Sequence, residues 1–195
     1  MLTLRELTIN NNGYLIFSLA NLYGYSRQAA SYYAKTHNMK RIAHGIYVDN
    51  EAWVDDLFVI FLKNKEVVFS HETALYLHGL MEREPLFTSL TVKYGYNATH
   101  LRKKGYIVHT TIIDFIDLGL ISIKTPMGNV VNAYDMERTI CDIVRNKDNM
   151  DIQVFNYALK EYMKSKSKRI PVLLEYAKKL RVLKQIRTYL EVLLW

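Results

Sequence analysis

The sequence predicts an α+β protein with an N-terminal winged helix-turn-helix followed by a mixed α/β domain that has a helical C-terminal part. Three patterns carry this prediction. Helical periodicity gives way to a short hairpin within the first 50 residues, strand-like segments gather between 89 and 133, and helical periodicity returns from 152 onward.

Residues 1 to 10 and 15 to 23 read as helices, the second with Leu15, Ile16, Leu19, Ala20 and Leu22 as an apolar stripe. Gly24 ends it. Ser26 is a good N-cap for a third helix over about 27 to 37, since its hydroxyl can accept from free N–H groups of the first turn. Two short strands follow, "KRI" at 40 to 42 and "IYV" at 46 to 48, joined across Ala43, His44 and Gly45. A helix containing Trp53, Leu57, Ile60 and Phe61 starts near 51, and Ser70 caps another that runs to His78. Strands come next at 89 to 94, 106 to 110, 120 to 125 and 129 to 133, the last two joined through "TPMG", where Pro126 and Gly128 suit a tight turn. Asp135 caps "MERTICDIVR", and helices near 152 to 163, 170 to 180 and 183 to 194 complete the chain. No low-complexity linker separates these segments, so pattern alone places the domains at 1–50 and 51–195.

Half of the 195 residues are hydrophobic, enough for a sizeable core. The net charge of +7 is unevenly spread: +3 over residues 1–50, −4 over 51–90 and +8 over 91–195. Two basic regions around an acidic one point to a polyanionic partner. Residues 7 to 26 are uncharged, yet Asn10, Asn11, Asn12, Ser18, Asn21 and Ser26 interrupt the apolar runs too often for a membrane span. The same stretch lacks the cationic start and small-residue cleavage site of a signal peptide. The single Cys141 has no partner for an internal disulfide, which fits a reducing cytoplasm.

The third helix carries the clearest functional pattern. At 100° per residue Arg27, Gln28, Ser31, Tyr32 and Lys35 fall within an arc of about 140°, with Ala29, Ala30, Tyr33 and Ala34 on the other side. Small alanines let this helix sit close to its neighbour while the polar arc faces outward. A helix of this width fits the DNA major groove, where Arg bonds guanine O6 and N7, and Gln bonds adenine N6 and N7. Lys35 is placed to meet phosphate, and Lys40, Arg41 and His44 sit where a wing touches the neighbouring backbone or minor groove. Together with Ser26 these residues form the expected DNA interface. Glu6 is the one acidic residue among the first 48, so little there repels phosphate.

Motifs for chemistry are weaker. "HETALYLH" at 71 to 78 lacks the second histidine that a zinc helix needs four residues after the first, because position 75 is Leu. "GYSRQ" has Gln28 where a nucleophile elbow needs glycine. The eight glycines are too dispersed for a phosphate-cradling loop, and no carboxylate stands two residues before a lysine as in many nucleases. "DMERTICD" at 135 to 142 reads as a capped helix with Met136, Ile140 and Ile143 packed inward, "KSKSKR" at 164 to 169 as a solvated loop. The last helix sets Lys184, Arg187 and Glu191 opposite Leu183, Ile186, Leu190 and Leu194. These patterns predict no enzyme, no cofactor and no metal.

Across almost its whole length the chain resembles the AbiEi antitoxins of type IV toxin-antitoxin (abortive infection) systems. The resemblance rests on "GYSRQAASYY" in the helix-turn-helix, "HGIYV" at 44 to 48, "SHETALYLHGL" at 70 to 80 and "DMERTICDIVR" at 135 to 145. It implies a repressor that binds double-stranded operator DNA of its own operon at inverted repeats. It further implies a C-terminal domain that counteracts a nucleotidyltransferase toxin without a stable complex. Two alternatives stand beside it: a ligand-responsive winged-helix regulator, and a nucleic-acid-modifying enzyme targeted by its helix-turn-helix.

Overall fold

The computed structural model describes residues 2–193, and the fold is α+β. It divides into two compact units, residues 1–65 with 124–130, and residues 66–123 with 131–195.

The N-terminal unit begins with α1 (Leu4–Asn10), started by a capping box: the Glu6 N–H donates to Thr3 Oγ1, and the Thr3 N–H donates to the Glu6 carboxylate at 2.7 Å. Then comes β1 (Tyr14–Ile16), where a helix was expected. Leu15 and Ile16 pair with Tyr47 and Ile46, so ladder bonding claims the first residues of that apolar run and α2 starts only at Phe17 (Phe17–Leu22). Its supposed stripe is correspondingly partial, with Leu22 81% exposed. Next are α3 (Arg27–Thr36), β2 (Lys40–Ala43) and β3 (Ile46–Val48), and the three antiparallel strands lie in the order β1-β3-β2. Gly13 adopts φ +85 between α1 and β1, where a Cβ would stand 2.6 Å from that of Ala52, so the turn needs glycine twice over.

Helix α4 (Asp56–Lys63) also belongs to this unit. It starts later than its pattern implied, because Asp55 is the cap, and it leaves Trp53 outside at 86% exposure. The buried Asp55 carboxylate accepts from the Phe58 N–H, the Thr125 hydroxyl at 2.6 Å and the Asn129 amide at 2.8 Å. Its own N–H donates to the Tyr14 hydroxyl at 2.7 Å. One side chain thus joins α4 to the turn 124–130, while its backbone reaches β1.

The second unit is a mixed sheet with helices. Its elements are β4 (Val68–Phe69), α5 (His71–Leu77), β5 (Ser89–Lys93), α6 (Thr99–Arg102), β6 (Ile107–Thr111), α7 (Ile113–Ile116), β7 (Leu120–Lys124) and β8 (Val130–Tyr134). The strand order is β6-β5-β4-β8-β7; β4 runs antiparallel to β5 and parallel to β8, and β5 runs parallel to β6. Then follow α8 (Met136–Arg145), α9 (Ile152–Lys164), α10 (Ile170–Lys179) and α11 (Leu183–Leu193). Ile140, Ile143, Phe155, Leu173 and Ile186 share one apolar cluster there, so all four helices feed a common core. Lys184, Arg187 and Glu191 face outward on α11 as its period requires; Leu194 lies outside the described residues.

Removing the Asp55 carboxylate strands two buried donors and a helix cap. Asp55→Ala is expected to lower unfolding free energy by about 3 kcal/mol in urea titrations; a loss below about 1 kcal/mol would show that water replaces the missing acceptor.

Candidate nucleic-acid interface

Helix α3 has one side that must be buried and one that is free. Ala30 and Ala34 are each 1% exposed and cluster with Leu4, Leu7, Leu15, Ala20 and Met39. With nothing beyond Cβ they let α3 lie close to α2, from which it is separated by a turn with Gly24 at φ +84. Ser26 caps the helix, accepting from the Ala29 N–H at 3.1 Å. Arg27, Gln28, Ser31, Tyr32 and Lys35 are all exposed, Tyr32 by 72%. Ala29, assigned to the inner side by its angle, is exposed too, so the open face is wider than the polar arc alone.

Lys40 and Arg41 on β2, and His44 in the turn after it, are also exposed. Arg41 folds back along this turn: its Nε donates to the Ala43 carbonyl at 3.4 Å, and its Nη2 lies 3.5 Å from His44 Nδ1. The turn closes through Gly45 at φ +69.

A cleft of about 380 Å³ joins helix and hairpin, lined by Arg27 and His44 together. Ser18 and Asn21 of α2 line it as well, and so does Lys65 just beyond α4. No local pattern marks these three: the serine and asparagine look like ordinary interruptions of an apolar run, and Lys65 lies far along the chain. The Lys65 ammonium rests 4.3 Å above the Phe61 ring, and desolvation there lowers its pKa. Gln28, Ser31, Tyr32, Lys35 and Lys40 lie outside this cleft on the open face. Among the described residues Arg27, Lys35, Lys40 and Arg41 form no ion pair, and nearby Glu6 is occupied by its capping box. Uncompensated cations beside amide and hydroxyl groups can hold phosphate and hydrogen-bond base edges.

The second unit places its charges differently. "DMERTICD" is a capped helix with Ile140 and Ile143 buried and Met136 packed against the same core, and Glu137, Arg138 and Asp142 are buried as well. Asp135 caps α8 through the Arg138 N–H at 2.8 Å. Arg138 Nε donates to both oxygens of Asp142, at 3.1 and 3.0 Å, and its Nη1 donates to the carbonyls of Phe115 and Leu118. Arg169, the last residue of the supposed solvated loop, pairs with Asp135 at 2.7 Å and with Glu137. His78 donates from Nε2 to the Tyr134 carbonyl at 2.7 Å, a bond within the unit that uses the second histidine of "HETALYLH".

Comparison with models of known protein families and with curated proteins finds no match for the chain.

Two outcomes follow from these placements. Ala30→Leu overfills the α3 seat and is expected to cost about 1–3 kcal/mol of stability by thermal or urea unfolding; a neutral result would mean that α3 is loosely seated. In the second unit, burial first, then Arg138 and Arg145, hold the His71 pKa at about 3. The folded chain therefore keeps His71 neutral while the unfolded chain takes up its proton below about pH 6.5, so stability declines as pH falls from neutrality. For this group the decline reaches about 1 kcal/mol at about pH 5.5. His109, lowered to about 4 by burial and by His71, acts in the same direction, whereas Asp135 and Asp142, raised by burial, act oppositely in the carboxylate range. His71→Asn, which tolerates a left-handed backbone, should flatten this part of the profile; an unchanged profile would place the proton elsewhere.

Proposed function

We propose that the N-terminal unit is a winged helix-turn-helix that binds double-stranded DNA with α3 in the major groove and the β2–β3 hairpin as its wing. We further propose that the whole chain is a cytoplasmic repressor and antitoxin of a type IV system. The observation that carries the DNA reading is the two-sidedness of α3: Ala30 and Ala34 are sealed in the core, while every residue of the expected interface is exposed and, among the described residues, Arg27, Lys35, Lys40 and Arg41 form no ion pair. The strand order β1-β3-β2, with a hairpin directly after the exposed helix, supports it. The antitoxin half rests on the resemblance carried by "SHETALYLHGL" and "DMERTICDIVR". No helix among the described residues is long and apolar enough to cross a membrane.

In this reading Arg27 and Gln28 read base edges, Ser26, Ser31, Tyr32 and Lys35 fix α3 on the backbone, and Lys40, Arg41 and His44 hold the adjoining phosphates. One such helix covers a short site, so two copies on inverted repeats are expected. The nucleotidyltransferase toxin is counteracted through the second unit without a stable complex.

The test is a gel-shift titration of the full chain against DNA upstream of its own gene, with random DNA as competitor. Arg27→Ala or Gln28→Ala should weaken the specific site by ~1–3 kcal/mol per lost base contact. Lys40→Ala or Arg41→Ala should weaken all sequences alike and lower the salt slope by about one each. Equal effects of all four on specific and random DNA would remove the division of roles. For the antitoxin half, the Arg27→Ala/Gln28→Ala chain, expressed from a foreign promoter, should still protect cells from the toxin encoded beside it. Loss of protection would tie neutralisation to DNA binding and sink the two-part reading.

A further inference from the structure

The second unit holds a polar cleft that the DNA reading leaves unused. It has a volume of about 360 Å³, within the range of small-ligand pockets, and opens between the β5–β6 edge and the end of α8. Thr91 and His109 are register partners on the two parallel strands, and Thr111, two positions on along β6, faces the same side. Arg138, Asp142, Arg145 and Asn146 line the other side. Val108 is its single apolar lining residue among the described ones, so the wall suits a polar group.

Two features mark the cleft as built. His71 lines it with a left-handed backbone, φ +49, which costs a non-glycine residue energy and persists only where the surroundings enforce it. Its ring stacks on that of His109 at 3.5 Å between centroids, and its Nδ1 is tied to Ser70 Oγ at 3.0 Å, which in turn accepts from the Thr91 hydroxyl at 2.8 Å. The imidazole is thereby fixed in orientation. Both histidines are neutral at physiological pH, since burial lowers His71 to about 3 and His109 to about 4. The remaining charges are one carboxylate and two guanidinium groups. Asp142 is already engaged by both of its oxygens with Arg138, so the charge of Arg145 is left uncompensated. Arg145 is exposed and, among the described residues, forms no ion pair. Asn146 accepts from Asn149 at Oδ1, which leaves its amide N–H groups for another partner.

One unpaired guanidinium, the Thr111 hydroxyl, an amide and a histidine ring offer more donors than a carboxylate's two oxygens use, and Val108 alone is too little apolar wall for a lipid chain. We propose that this cleft binds a sugar phosphate, with Arg145 as the cation for its phosphate and the Thr111, Asn146 and His109 side chains bonding the phosphate and the sugar hydroxyls. The ligand is either a free pentose phosphate or the ribose-phosphate part of a mononucleotide. This site stands apart from the DNA reading and uses none of the α3 residues.

The experiment is isothermal titration of the full chain with ribose 5-phosphate, the four nucleoside 5′-monophosphates and inorganic phosphate. Variants Arg145→Ala, Thr111→Val and the control Lys160→Ala, an exposed residue of α9 outside the cleft lining, run alongside. Unliganded melting temperatures confirm that the exposed-site variants fold. Ribose 5-phosphate should bind more tightly than inorganic phosphate, and Arg145→Ala should weaken it about 10- to 100-fold, as loss of a charged hydrogen-bonding partner does. Thr111→Val should weaken it several-fold, and the Lys160→Ala control should leave it unchanged. Equal affinity for the nucleotides and ribose 5-phosphate would identify a free sugar phosphate as sufficient, and tighter nucleotide binding would identify the mononucleotide; both support the site. No binding at millimolar ligand, binding no tighter than inorganic phosphate, or affinity unaffected by Arg145→Ala would overturn it.

Discussion

Helix α8 buries a glutamate, an arginine and an aspartate on one short element, and the second unit is arranged around satisfying them. Glu137 is 0% exposed and Arg138 2%. An unpaired buried charge costs several kcal/mol, so each must meet a partner inside the fold. Arg138 finds Asp142 one turn on, two carbonyls from the α7 region and the face of Tyr134, whose ring lies 4.2 Å from its guanidinium carbon. Glu137 takes the Tyr162 hydroxyl from α9, together with the backbone and guanidinium of Arg169 ahead of α10. Gly119 is bound by the same constraint: at φ +76 its absent Cβ leaves room for Arg138 and Asp135, which would otherwise stand 2.6 and 2.9 Å away. Such pairs are poor sources of net stability against an apolar substitute, but once the charges are present they leave few ways to dock α9 and α10.

The N-terminal unit is arranged differently. The core under α3 is built mainly from small and medium apolar side chains, and apart from the buried Asp55 its charged groups are exposed. The difference fits the two readings. A surface meant for a long polyanion needs exposed cations whose field is not cancelled, whereas a pocket for a small polar ligand needs charges partly satisfied by the protein, so that a single uncompensated group sets the ligand's sign. The Arg145 cleft has this second form, because Asp142 is consumed by Arg138 and Arg145 is not.

Much of this architecture was legible wherever the cause is local. Ser26 and Asp135 cap the helices they were expected to cap, because capping is decided within three residues. The β2–β3 hairpin and the 89–134 strands lie within a residue or two of their patterns. The failures are non-local. Leu15 and Ile16 continue an apolar run indistinguishable from a helix, and only pairing with Tyr47 and Ile46 makes them a strand. Strand β4 is two residues long and carries no period at all. Arg169 looked solvated among lysines and serines because its acceptors, Asp135 and Glu137, lie more than thirty positions earlier. The His71–His109 stack was hidden for the same reason: each is a lone histidine in its own segment, and a fold is needed to bring them together.

The support of the exposed helix α3 extends beyond its own stretch of sequence. The expected module closed at residue 50, but the compact unit includes α4 and the turn 124–130. Tyr14, on β1, is 1% exposed, and its hydroxyl accepts from the Asp55 N–H. Its ring meets Phe58 edge-on at 5.1 Å between centroids. Asp55 in turn depends on donors at 125 and 129, and Asn12 donates to Asn129 at 2.9 Å. A chain cut at 50 would thus lose the packing of β1, which pairs with β3 and so sets the hairpin beside α3. The geometry of the exposed helix is therefore maintained partly by residues some hundred positions away in sequence, and a loss of DNA binding on truncation would report on this support before it reported on any contact with DNA.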